Sequence, residues 1–218
     1  GPMSTWIGEN SDDRDEDIEI AAAQRFTYDP VDLEVFSDLA QWGGHHNIVF
    51  MPGGRSFSVW RQGEEGKFYQ AYDSHNDFEA FSMQSFPRTF NSKGTPESTS
   101  SRRGPTPRGI TTGEVMGVKM AFITLQNSHA VFVYDISDLN EPRFSTCLNT
   151  ADAASARRYT EDSQMDLLGG DVGPTDVVFV KAEDSCTGNA QLIVSYRGGT
   201  TPGSGNVVVW EFRRSVPR

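Results

Sequence analysis

The chain has 218 residues, 36% of them hydrophobic, with 21 glycines, 11 prolines and a net charge of −11. This length can bury a substantial core as one domain, and the glycine and proline content suits a loop-rich all-β protein. The negative charge argues against nucleic acid or anionic membranes as partners, and no apolar run approaches the roughly 18 residues that a membrane span needs.

Residues 1–24 are predicted to form a cleavage scar followed by an acidic arm. Gly1-Pro2 before Met3 resembles what a protease leaves behind, so the start of the sequence does not indicate localisation. The candidate calcium ligands in the arm are Asp12, Asp13, Asp15 and Asp17. They alternate as in an EF-hand loop, but no glycine follows at the sixth position, so a solvated acidic arm is the alternative.

Residues 25–218 are predicted to form one domain that opens with short strands. Alternating apolar residues predict a strand in residues 29–40. Three more strands are predicted at residues 47–51 (NIVFM), 55–61 (RSFSVWR) and 67–72 (KFYQAY). The adjacent His45 and His46 would point to opposite faces of a strand, so we do not expect them to bind one metal ion.

Between the first and second sets of strands the sequence changes its period. Residues 77–90 (DFEAFSMQSFPRTF) place phenylalanines along one side of a short helix, which Pro87 would end. Such an aromatic stripe indicates packing. Residues 91–108 contain almost no apolar side chain and predict a long mobile loop.

The strongest strand signals lie in residues 116–144. Residues 120–125 and 130–136 are two apolar runs joined by the polar turn Gln126-Asn127-Ser128. A similar set follows at residues 176–181, 190–196 and 206–212, and VFVYDI (131–136) shares its pattern with VVVWEF (207–212). Repeated sets of antiparallel strands are typical of β-propeller blades, with a sandwich as the alternative.

The predicted fold is therefore all-β: a partial, about three-bladed β-propeller-like arrangement with a short helix and long polar loops. The blades are expected at about 43–75, 109–147 and 173–212. Alternation predicts that the core is lined by Val131, Val133, Ile193, Val207 and Val209.

Two cysteines and no recognisable catalytic motif complete the inventory of reactive groups. Cys147 and Cys186 lie in adjacent predicted blades, so a disulfide and two half-buried free thiols are both open. No nucleophile elbow, phosphate-binding loop, zinc-protease helix or dinucleotide fingerprint occurs, so we expect no catalytic residue and no cofactor other than calcium.

Several segments, in this order, resemble the choice-of-anchor I proteins, which include mesenchyme-specific cell-surface glycoproteins linked to biomineralisation. The segments are GGRSFSVW, YDSHNDFE, FPRTFN, GEVMGVKMAFITLQNSHAVFVYDISDLNEPRF and GPTDVVFVKAEDSCTGNAQLIVSY. The resemblance runs from about residue 11 to 212. It implies a β-propeller that is extracellular or anchored at the cell surface, without established enzymatic activity, although some members carry a phosphatase-like label.

The sequence departs from that family at four places. The family tends to begin blades with Pro-Glu-Gly and to end second strands with an acid, near the axial channel. The corresponding positions here are Arg108, Thr175, Gln126 and Arg197. A cation or substrate site built from those carboxylates would be largely lost.

These observations leave three functional hypotheses. The first is a non-enzymatic structural module that self-associates or pairs with a propeller-completing partner, because three blades cannot close a ring. The second is an extracellular calcium-binding protein of the biomineralisation type, and the third is a phosphatase-like hydrolase.

Overall fold

The structure is a computed structural model that describes residues 54–92, 97–100, 102–151, 170–198 and 205–214, together with the backbone of two short strands near the N-terminus. The strands are β1 (Ile18–Glu19), β2 (Asp32–Leu33), β3 (Ser58–Gln62), β4 (Phe68–Asp73), β5 (Pro107–Val115), β6 (Val118–Leu125), β7 (Ala130–Asp135), β8 (Arg143–Leu148), β9 (Pro174–Val180), β10 (Gln191–Tyr196) and β11 (Asn206–Glu211). Helix α1 spans Asp77–Ser85, and a 3-10 turn spans Glu64–Gly66.

All strand pairs are antiparallel, which confirms the all-β prediction. We call β3–β4 the N-terminal sheet, β5-β6-β7-β8 the central sheet and β9-β10-β11 the C-terminal sheet. Within the central and C-terminal sheets each strand pairs with the next one along the chain. This meander is the connectivity expected of propeller blades.

The central sheet is covered on both faces. One face packs on the N-terminal sheet and α1, through Phe57, Phe78, Ala121, Ile123, Leu125, Ala130, Phe132 and Tyr134. The other face packs on the C-terminal sheet, through Val115, Phe122, Val131, Val133, Val177, Leu192, Val194 and Tyr196. The predicted core positions Val131 and Val133 are therefore confirmed.

The inward face of the C-terminal sheet was predicted wrongly. Leu192 and Val194 are buried, whereas Val207 and Val209 are exposed and Ile193 is only half-buried. Both faces of these strands are apolar, so alternation identifies the strand without showing which face meets the core.

Two glycines in β5 allow the C-terminal sheet to approach the central sheet closely. A Cβ atom on Gly113 would lie 2.2 Å from Cδ1 of Phe179, and one on Gly109 would lie 3.0 Å from the Cα atom of Asp176. β5 is a strand of nine residues, of which the sequence prediction recognised little, because its polar and glycine residues obscure the strand pattern.

The helix and the loop after it were predicted correctly, but the burial of polar residues in that loop was not. Phe78 is buried, and Phe81 stacks on Phe144 with ring centroids 4.1 Å apart. In the segment predicted to be a mobile loop, the buried polar residues are Asn91, Ser92, Thr99 and Ser100. Their hydrogen bonds hold the described part of this segment on the central sheet, an arrangement that its polar sequence did not predict.

Three other predictions concern residues in the N-terminal part of the chain, most of which lies outside the described residues. β2 lies within the strand predicted at 29–40 and pairs with β1. The acidic arm with Asp12, Asp13, Asp15 and Asp17 and the strand predicted at 47–51 lie outside the described residues.

The structure has both cysteines as free thiols, which is the second of the two alternatives. Cys147 lies in β8 and is half-buried, and burial raises the pKa of its thiol. Cys186 is exposed in the turn between β9 and β10. β8 is the edge of the central sheet farthest from β5, the strand on which β9 packs, so the sheet order separates the two positions.

Candidate functional site

The most unusual feature of the described residues is a buried polar turn between β6 and β7. It consists of Gln126, Asn127, Ser128 and His129, all of them buried. Hairpin turns normally face water, and a buried polar group is costly unless it is hydrogen-bonded. This turn must therefore find its partners within the protein.

The described residues within 89–106, which we call the covering segment, supply many of these partners. The Asn127 amide nitrogen donates to the carbonyl of Gly104 at 3.0 Å and to Oγ1 of Thr106 at 2.8 Å. The backbone N–H of Ser92 donates to the carbonyl of Asn127 at 2.7 Å. The hydroxyl of Ser128 donates to Oδ1 of Asn91 at 3.2 Å. The turn and the covering segment thus form one hydrogen-bonded unit.

Asn91 connects this unit to the N-terminal sheet and the helix. Its amide nitrogen donates to Oε1 of Glu79 at 3.0 Å, and Glu79 forms an ion pair with Arg55. The Arg55 guanidinium also donates to the carbonyl of Ser100 at 2.5 Å. Both side chains of the ion pair are largely buried, so removal of either partner would leave an uncompensated charge.

His129 connects the turn to the C-terminal sheet. Its Nδ1 atom accepts a hydrogen bond from the backbone N–H of Gly173 at 3.1 Å, and its Nε2 atom lies 3.1 Å from Oγ of Ser92. Because Nδ1 is an acceptor, the neutral ring carries its proton on Nε2 and donates it to Ser92. Burial is the main reason that the pKa of His129 is lowered to about 4; a backbone hydrogen bond with Ser92 opposes this shift, and the positive charge of Arg197 adds to it.

The Ser92–His129 pair has the spacing of a nucleophile and its general base, but the wrong proton arrangement. A base that activates serine needs an unprotonated Nε2 atom and a partner that accepts from Nδ1. Here the Gly173 N–H donates to Nδ1. The pair therefore connects the covering segment to the turn by a hydrogen bond and is not arranged to remove the proton from Ser92.

The four positions that depart from the family pattern lie at corresponding strand ends. Pro107 pairs with Leu125 and Pro174 pairs with Tyr196, so the beginnings of β5 and β9 lie beside the ends of β6 and β10. At this end of the sheets lie Arg108, Gln126, Thr175 and Arg197.

Two of these positions meet around Gly173. The Arg197 side chain and the Gln126 carbonyl both lie within 4 Å of the place where a Cβ atom of Gly173 would be. The Thr175 hydroxyl is 3.0 Å from the Ser195 hydroxyl, and Arg108 is exposed on β5. Within the described residues no three His, Cys, Asp or Glu side chains form a group that could hold a metal ion.

A second buried polar contact lies on the opposite half of the central sheet. The Asp77 carboxylate accepts hydrogen bonds from the hydroxyls of Tyr134 at 3.3 Å and Tyr72 at 3.4 Å. Burial raises the pKa of Asp77, raises that of Tyr72 to about 12 and raises that of Tyr134. This contact fixes the start of α1 on the central sheet.

No sequence pattern distinguishes His129, Ser92, Gly173 or Asp77 as important residues. Residues 126–129 have the composition of an ordinary exposed turn, and no local pattern distinguishes a buried one. Ser92 and Gly173 lie 37 and 44 residues from His129. Only the packing of three distant segments shows that they meet.

Comparison with known proteins identifies one family. The model of the choice-of-anchor I domain matches residues 21–139, which is more than half of the 218 residues. The match includes the N-terminal sheet, the covering segment and β5 to β7, and it ends before the C-terminal sheet. No curated protein and no solved structure gives a match.

Proposed function

Since the chain belongs to the choice-of-anchor I domain family, we propose that it is a non-enzymatic interaction module of the propeller type. Its exposed sheet face is covered by a second copy of the chain or by a partner that completes the propeller. A choice-of-anchor domain indicates a cell-surface or extracellular protein. No helix in the described part of the chain is long and apolar enough to cross a membrane.

The observation that carries this proposal is an exposed apolar face on the C-terminal sheet. Val178, Ile193 and Val209 form one cross-strand row, in which Ile193 pairs with both valines. Val178 and Val209 are exposed, and so is Val207 two residues earlier in β11. Contiguous exposed apolar side chains typically mark an interaction surface.

The position of this face in the stack of sheets supports the same conclusion. Val131 and Val133 in β7 correspond to Val207 and Val209 in the shared pattern of the two strands. In the central sheet these valines pack on the next sheet of the stack. Their counterparts in β11 point to the place where a further sheet would lie.

The other end of the stack also exposes large apolar side chains. Trp60 and Phe68 lie on one face of the N-terminal sheet, while Val59 and Tyr72 pack towards the central sheet. If the surface at one end of a copy binds the different surface at the other end of the next copy, the contacts are head-to-tail. Such contacts close into a ring or continue as a filament.

The size of the C-terminal face sets the strength that we expect. Three strands about 4.8 Å apart and six residues long span roughly 14 by 20 Å. Two such faces bury several hundred Å² in total, whereas stable specific interfaces bury about 1,200 Å² or more. We therefore expect weak association of copies, with stronger binding to a partner that also contacts the strand edge of β11.

Sedimentation velocity over about 1 to 200 µM tests self-association. The expected result is an average mass that rises with concentration and falls on dilution. Val209→Lys should abolish this rise, because it places a charge in the apolar row. Ser145→Lys, on the exposed side of β8, adds the same charge elsewhere and should leave the rise unchanged. A monomer at every concentration would contradict self-association and leave the completing partner as the covering surface.

The acidic arm supports calcium binding as a second function. Four aspartates within six positions and a net charge of −11 suit a weak extracellular calcium site, with a dissociation constant of roughly 10⁻⁴ to 10⁻³ M. Calorimetric titration of calcium should give heat that disappears when Asp12, Asp13, Asp15 and Asp17 are all changed to Asn. A flat titration of the parent protein would remove this function.

A phosphatase-like activity has less support. The Ser92–His129 pair has its proton on the wrong nitrogen for activating serine, and the hydroxyl is buried. Release of phosphate from an aryl phosphate, lost on Ser92→Ala, would overturn the non-enzymatic proposal.

A further inference from the structure

We propose that His129 is an acid-sensitive latch, in which protonation of Nδ1 releases the beginning of β9 and loosens the C-terminal sheet from the central sheet. The latch depends on the position of one imidazole ring between three segments that are distant in sequence.

Gly173 is the point at which the latch holds the C-terminal sheet. Its N–H donates to Nδ1 of His129, and its carbonyl accepts from the N–H of Arg197 at 2.9 Å. β9 begins at the next residue, and β10 ends just before Arg197. Gly173 has φ of +67°, a conformation that side chains rarely adopt. One residue thus joins the imidazole to β9, the strand that packs on β5 and β6, and to the end of β10.

The chemistry of the ring confines the effect of protonation to the Gly173 side. Nε2 carries a proton in both states, so its hydrogen bond to Ser92 is retained. Nδ1 accepts in the neutral state and becomes a donor in the charged state. It would then face the Gly173 N–H, which can only donate, so the bond between the two sheets is lost.

The charged groups around the ring do not stabilise an imidazolium. The charge that acts on it is that of Arg197, which is repulsive. Among the acidic residues of the adjoining segments, Glu79 is paired with Arg55, and Asp171 accepts hydrogen bonds from Thr150 and Asn206. A buried imidazolium would therefore be uncompensated, and release of Gly173 with entry of water relieves it.

The latch is tested by measuring hydrogen exchange of the Gly173 amide in the full chain by NMR, at pH 7 and at pH 5. In the open form His129 titrates near its ordinary pKa of about 6.5, whereas the closed form stays neutral. After correction for intrinsic exchange, the opening equilibrium at Gly173 should rise by about 20-fold between pH 7 and pH 5.

His129→Asn is the informative variant, because its Oδ1 atom lies where Nδ1 was, accepts from Gly173 and does not titrate. It should lose the pH response. His75→Asn is the matched control, because His75 is exposed near the N-terminal sheet and should leave the response intact. An equal response in the parent and His129→Asn, or no response in the parent, would overturn the latch.

A measurement on the unmutated protein covers the case in which His129→Asn does not fold. The ¹⁵N shifts of the His129 ring at pH 7 should show an unprotonated Nδ1 and a protonated Nε2. A proton on Nδ1 at pH 7 would overturn the proposal, because Gly173 could then not donate to it.

Discussion

The central and C-terminal sheets contain nearly the same strand pattern but stand in different environments. Val133 of β7 is 1% exposed, while Val209, its counterpart in β11, is 54% exposed. Ala130 to Tyr134 are all buried, because the central sheet has neighbours on both faces. Apolar residues on both faces of a strand therefore indicate that a layer packs on each face. For the C-terminal sheet, the described residues supply only one of these two layers.

The largest expected effect comes from placing the same charge at the two equivalent valines. Val133→Asp should destabilise the protein by about 4 kcal/mol or more, because it buries an unpaired carboxylate. Val209→Asp should cost about 0.5 kcal/mol or less at a monomeric concentration. Urea unfolding of both variants measures the difference. Equal losses of unfolding free energy in the two variants would contradict the burial of Val133 and the exposure of Val209.

The next largest effect is the dependence of stability on pH through His129. Its pKa falls from an ordinary 6.5 to about 4 on folding, so the unfolded chain binds a proton that the folded chain excludes. This stability is complete above about pH 6.5 and is lost as the pH falls towards 4, with a total of about 3 kcal/mol. Urea unfolding at half-unit steps of pH should show the decline.

The comparison with His129→Asn isolates this contribution. The pKa of the half-buried Asp77 is raised on folding, so its contribution has the opposite sign and grows as the pH falls. Both proteins share the contribution of Asp77, so it cancels when the curve of stability against pH for His129→Asn is subtracted from that of the parent protein. A difference curve without slope between pH 6.5 and 4 would contradict the assignment to His129.

A smaller effect is expected where β5 contacts the C-terminal sheet. Gly113→Ala would place a methyl group inside the ring of Phe179 and should cost about 2 kcal/mol. Gly54→Ala is the control, since its Cβ would make an ordinary 3.5 Å contact with Pro107. Thermal unfolding compares the two. Recovery of stability in Gly113→Ala combined with Phe179→Leu would identify the clash as the cause.

The smallest expected effect concerns thiol reactivity and leaves stability unchanged. Exposed Cys186 should react rapidly with a thiol-specific disulfide reagent, and half-buried Cys147, whose pKa is raised by burial, should react slowly. Two phases of equal amplitude in the native protein, merging into one after denaturation, are expected. If only one thiol, or none, reacts before a reductant is added, the prediction of two free cysteines is wrong.

The sequence by itself determined the all-β class, the helix at the start of residues 77–90 and the strands that became β3, β4, β6, β7, β9, β10 and β11. These elements follow from local signals, namely apolar runs of strand length and turn residues between them. It also pointed to the family that the domain match supports. It did not show β8, because Arg143–Leu148 is a polar edge strand that only its pairing with β7 reveals.

Only the tertiary structure decided which face of each strand is covered and where the polar residues go. In β10 both alternating sets are apolar, so the pattern has the right period but cannot distinguish Ile193 from Leu192 as the inward residue. The covering segment resembles a solvated loop because its polarity is the same whether it bonds to water or to the turn at residues 126–129. The role of His129 depends on hydrogen bonds to residues 37 and 44 positions away, which no local periodicity encodes.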